Sequence, residues 1–136
     1  MRWGEASAVK VGRVDIETRR IRIVEAYGED KGSLYLDSPK NHELRTVPIP
    51  QFLVEELRPY VDGRDADALL FITPQGGALR ANNFRRRVFA PAVKAAGLGT
   101  LGVTPHKLRH TAASMAIASG VDVHVVQAIW ATSRRR

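Results

Sequence analysis

From Arg20 to Val24 apolar and polar residues alternate, with Ile21 and Ile23 on one side and arginines on the other. That period of two predicts a half-buried strand. Ser33 to Leu36 and Arg45 to Ile49 read as two more strands. Between them, Asp37-Ser38-Pro39-Lys40-Asn41-His42-Glu43 has the composition of a hairpin turn. Gly28 to Gly32 reads as a polar turn, and Val14 to Glu17 as a lead into another. Ahead of the strands, residues 3–10 read as the end of a helix, with Ala6 and Ala8 as helix formers and Gly12 interrupting.

The pattern then becomes helical. Pro50 opens a helix that runs to about Leu57, and Leu69 to Ile72 is a short apolar piece before the loop Pro74-Gln75-Gly76-Gly77. Arg80 to Ala96 reads as helix, with Pro91 expected to kink or divide it. Thr104 caps a helix from Pro105 to Ser119, Gly120 ends it, and Val121 begins another to about Trp130. The expected fold is mostly α with a small three-stranded antiparallel sheet, an α+β arrangement. Residues 131–136 carry no pattern, and there is no internal repeat.

Composition narrows the chemistry. The 136 residues include no cysteine, which removes disulfides, thiolate zinc sites and thiol catalysis. No apolar run reaches the roughly 18 residues of a membrane span. Lys and Arg number 21 against 14 Asp and Glu, a net charge of +7. A polyanion is the expected partner, although a merely basic surface has the same arithmetic.

The most informative stretch is Thr104-Pro105-His106-Lys107-Leu108-Arg109-His110-Thr111. His106, Arg109 and His110 share a helix face. They lie in the first turns, where free backbone N–H groups and the helix dipole also favour an anion. An imidazole and a guanidinium there make a phosphate cradle. The plain alternative is a solvated basic helix start. The spacing of His106 and His110 also suits zinc, but no Glu follows the first His and Arg109 brings a positive charge, so no metal is expected.

This stretch, with Ala112-Ala113 after it, resembles the second signature box of the tyrosine recombinases, the phage integrase family. Arg2-Trp3-Gly4-Glu5-Ala6 resembles that family's first box, and Leu36-Asp37-Ser38-Pro39-Lys40 with Arg45-Thr46-Val47-Pro48-Ile49-Pro50 resembles its hairpin. The three occur in the family's order and cover nearly the whole chain. The resemblance implies DNA strand breaking and rejoining through a phosphotyrosyl link, with no cofactor or metal. It implies a catalytic set of Arg2, Lys40, His106 and Arg109. The two arginines would hold the scissile phosphate, because a planar guanidinium bonds two oxygens at once. His106 would add a hydrogen bond or move a proton, and Lys40 would protonate the leaving oxygen. Arg80, Asn82, Arg85, Arg86, Arg87 and Lys107 are expected to contact double-stranded DNA, against the alternative of a solvated basic face. His42 and Arg45 are further candidates near the same site. His110 is expected to bond within the domain, and Trp3 and Phe84 to be core residues.

The resemblance also implies a cytoplasmic, nucleoid-associated protein of bacterial or phage type that self-associates on DNA, with no membrane or small-molecule partner. Two departures stand against it. The family's nucleophilic Tyr follows the second box, whereas the tyrosines here are Tyr27, Tyr35 and Tyr60. Trp130-Ala131-Thr132 stands where the family has Leu-Gly-His. Read one base earlier, the codons of Trp130-Ala131-Thr132 give Leu or Met, then Gly, then His, Tyr, Asn or Asp, which suggests a frameshift. The expected organisation is therefore a partial catalytic domain over 1–130, truncated at both ends and inactive alone, with an out-of-frame tail. Missing helices would leave Val125, Val126 and Ile129 exposed. The competing readings are a non-enzymatic DNA-binding or regulatory module and an RNA-binding protein, the latter weakened by 7% aromatics.

Overall fold

The computed structural model describes residues 1–37 and 44–130, leaving aside the side chains of Ala128 and Ile129. The chain divides into two units, Met1–Leu79 and Arg80–Arg136.

In the first unit, α1 (Trp3–Ala8) leads into a tight turn at Val11–Arg13, then β1 (Val14–Asp15) and β2 (Arg20–Ile23). The predicted alternation holds, with Ile21 and Ile23 buried and Arg20 and Arg22 exposed. β5 (Arg45–Pro48) pairs antiparallel with the other edge of β2, giving a three-stranded sheet in the order β1-β2-β5. α2 (Gln51–Val61) follows, with Pro50 at its cap rather than inside it. It turns Val54 into a core of Val9, Val11, Val14, Ile21, Ile23, Ile49 and Leu70. The chain then returns to Val9–Gly12 through Leu70 N–H to Val9 O (2.7 Å) and Val11 N–H to Ala68 O (2.9 Å). The Arg64 guanidinium ties this return down by donating to the carbonyls of Tyr60, Leu69 and Leu70.

Two sequence expectations need correction here. Gly28 to Gly32 is not simply a turn, because Ala26–Asp30 forms β3, which pairs with β4 (Ser33–Asp37) as a separate two-stranded sheet. The turn is only Lys31-Gly32, both at positive φ (46° and 82°), the geometry that matches the twist of a two-residue hairpin. Gly28 is in the strand because it faces Tyr35, whose ring occupies the space a Cβ would need. The second correction concerns sheet membership. Ser33–Asp37 pairs with β3, and the third strand of the larger sheet is Val14–Asp15.

In the second unit, a helical path runs from α3 (Ala81–Phe84) to α4 (Ala90–Ala95). It is continuous across a widened turn at Arg85–Phe89, where Ala90 N–H reaches back to Arg85 O. Pro91 has no N–H to give to the preceding turn, and the widening absorbs that loss beside it. α5 (Pro105–Ala118) begins at Thr104, whose hydroxyl accepts from Lys107 N–H at 3.2 Å. It ends with Gly120 N–H on Ile117 O and Val121 N–H on Ala116 O, Gly120 taking φ +85°. α6 (Val123–Trp130) starts two residues later than expected, because Asp122 caps it by accepting from His124 N–H at 2.7 Å. Val125 is exposed, as expected, whereas Val126 is buried. Phe84 and Trp3 are half-buried.

Candidate phosphate-binding site

Arg2 stands at the N-cap position of α1 with extended backbone. Its own N–H donates to Glu5 Oε2 at 2.6 Å, the reciprocal half of a capping arrangement. The same oxygen accepts Arg45 Nη2 at 2.6 Å, so β5 is tied through Glu5 to the backbone of Arg2. Glu5 is almost fully buried, and α1 lies so close to β3 that a Cβ at Gly4 would sit 2.3 Å from Tyr27 O. Burial by itself would raise the Glu5 pKa. The Arg2 N–H bond and the Arg45 bond and charge more than offset it, holding the carboxyl below its ordinary 4.5. Sequence reading missed this role. Glu5 is third in the helix after Arg2, a spacing that signals a cap, but its pairing with Arg45 spans 40 positions and has no local signal.

Lys40 and His42 lie outside the described residues, so the expected turn at Asp37–Glu43 is described only at Asp37. Arg45, a further candidate, is committed to Glu5.

In the second unit, the first turns of α5 carry His106, Lys107, Arg109 and His110. The Thr104 cap takes one of the unsatisfied N–H groups of this helix end. His106 and Lys107 are exposed and Arg109 is half-buried. His106 Nε2 and His110 Nε2 lie 2.8 Å apart, with the rings edge to face. His110 therefore bonds within the helix, as expected, and one of the two nitrogens donates while the other accepts. Among the described residues no group of three His, Asp or Glu is arranged to hold a metal. Arg109 Nη2 donates to the main-chain carbonyl of Trp130, and Trp130 Nε1 donates back to Arg109 O at 3.2 Å.

Arg80 precedes α3 as its cap residue, half-buried, and Asn82 is exposed on the helix. Arg85, Arg86 and Arg87 are all exposed on the widened turn. Tyr27 and Tyr35 lie on the β3–β4 hairpin and Tyr60 near the end of α2, so every tyrosine belongs to the first unit.

Comparison with known proteins shows the family and the fold. The model of the phage integrase family matches residues 1–134. Tyrosine recombinase XerA of Thermococcus kodakarensis is 29% identical over 98 residues, covering 72% of this chain and 35% of that protein. Tyrosine recombinase XerD of Mycobacterium tuberculosis is 34% identical over 120 residues, covering 78% of this chain and 38% of its own. Among solved structures, the Tn1549 transposon integrase bound to circular intermediate DNA superposes with a TM-score of 0.82 at 21% identity, over 98% of this chain and 47% of that one. A XerA recombinase crystal structure gives 0.72 at 27% identity, over 94% and 42%. The chain thus spans less than half the length of each of these proteins. With the two boxes and the hairpin in order and the family match running nearly end to end, the chain belongs to the phage integrase family.

Proposed function

We propose that this chain carries the phosphate-gripping part of a site-specific DNA recombinase, acting on double-stranded DNA. The observation that carries the reading is the clustering of His106, Lys107 and Arg109 on the first turns of a capped helix. In the reaction, a Tyr hydroxyl attacks the backbone phosphorus and the 5′ oxygen leaves. Charge grows on the non-bridging oxygens, and preorganised donors stabilise it. Arg109 and Arg2 supply N–H donors to those oxygens, and His106 takes up the proton that the Tyr hydroxyl releases as it attacks. Lys40 gives its proton to the departing 5′ oxygen, which leaves as a hydroxyl. Arg80, Asn82, Arg85, Arg86, Arg87 and Lys107 hold the flanking backbone. Residues 1–130 act as part of one catalytic domain. The working form self-associates on DNA in a cytoplasmic, nucleoid-associated setting.

The attacking Tyr is not among Tyr27, Tyr35 and Tyr60, which precede the second box. The chain alone therefore binds duplex without cutting it. Two assays test this. Labelled duplex bound to the chain should be displaced by unlabelled duplex more readily than by RNA of equal length, and no denaturant-stable protein–DNA adduct should form. Stronger displacement by RNA would contradict the DNA reading, and a covalent adduct would contradict the assignment of the tyrosines.

A further inference from the structure

We propose that Trp130 is a positioning residue for Arg109, gripping it from both ends. The inference rests on the reading of Arg109 as a phosphate ligand. Trp130 lies in α6 (Val123–Trp130). Arg109 Nη2 donates to the main-chain carbonyl of Trp130. The Trp130 indole N–H, a donor only, is satisfied by Arg109 O at 3.2 Å, using the second lone pair of a helix carbonyl. The two hydrogen bonds join residues 21 apart in sequence and close a loop from α5 to α6 and back. One fixes the tip of the Arg109 side chain and the other its backbone. A guanidinium is planar and rigid, so holding one N–H narrows the orientations its other donors can take. The side chain is thereby held before any phosphate arrives, and less rotamer freedom is lost on binding.

The indole arm depends on the side chain at 130, where the pattern that this sequence resembles has Leu. Leu would keep the carbonyl bond and give up the indole one. Trp130→Phe therefore removes the N–H while keeping an aromatic ring, and Trp130→Leu serves as a second variant.

The test uses the full chain and two readouts. Without DNA, side-chain NMR should show the Arg109 guanidinium N–H groups slowed in exchange in the unsubstituted protein. Both variants keep the carbonyl bond but lose the indole bond that braces it, so that protection should be reduced, though not abolished, with unchanged circular dichroism. With DNA, the variants should bind a short duplex about fivefold more weakly, the scale of one neutral hydrogen bond. Arg109 protection that is the same in all three proteins would overturn the proposal. So would equal duplex affinity in the variants, because a bond without effect on binding does not position the ligand. If the unsubstituted chain binds no duplex at all, the recombinase reading fails. The exchange measurement then still decides whether Trp130 holds Arg109.

Discussion

Glu5 carries a charge in nearly complete burial, and the molecule tolerates it because Arg45 and the Arg2 amide converge on one of its oxygens. Removing one partner of such a pair strands the other. Glu5→Gln should lower the unfolding free energy by about 3 kcal/mol, read from urea denaturation at neutral pH. The pH dependence has a definite sign. The folded Glu5 pKa lies below the ordinary 4.5, so the pair contributes fully above that value and its contribution disappears as pH falls through the lower, folded one. The gap between the unsubstituted and Glu5→Gln proteins should therefore shrink on acidification. A gap that stays constant down to about pH 3 would show that Glu5 is not held ionised. At this scale the sequence was legible for the helix start that holds His106, Arg109 and His110, whose spacing is local. It was silent on Arg45 with Glu5 and on Trp130 with Arg109, because those partners meet only after the chain has folded.

α5 is held at both ends by features that can be read from the sequence. Its hydroxyl cap at Thr104 and its left-handed Gly120 mark the first and last turns. Nothing lies within 4 Å of a Cβ built on Gly120, so Gly120→Ala costs only the backbone conformation, about 1 kcal/mol. Thr104→Ala should cost a similar amount, about 1 kcal/mol, through loss of the cap. It should also loosen the helix start that carries His106. Thermal unfolding of the two variants checks both values, and unaltered midpoints would mean that tertiary packing rather than capping fixes these ends. The strands were harder to read. β3 contains Gly28, Glu29 and Asp30, all turn-like by composition. Its pairing depends on the Tyr35 ring filling the gap opposite Gly28, a cross-strand effect. In the same way, Pro91 announces a disturbance in the helix without saying that a widened turn beside it will absorb it.

Over the whole molecule the excess of seven positive charges becomes a binding property only where the charges lie together. Arg85, Arg86 and Arg87 are exposed in succession in the same unit as the α5 site. If all three meet phosphates, their replacement by Ala should weaken duplex binding uniformly across sequences. It should also flatten the dependence of log affinity on log salt by about 0.9 for each phosphate no longer neutralised. An unchanged slope would return these residues to a solvated face. Among the described residues no helix is long and apolar enough to cross a membrane. The proposed function depends above all on Arg109 gripping a backbone phosphate of duplex DNA. Duplex affinity across about 50–200 mM salt, for the unsubstituted chain and for Arg109→Ala, tests that grip without intermediate steps. Affinity should fall steeply with salt, and Arg109→Ala should bind more weakly with a slope shallower by about 0.9. Salt-independent binding, or an Arg109→Ala curve that overlays the unsubstituted one, would contradict it.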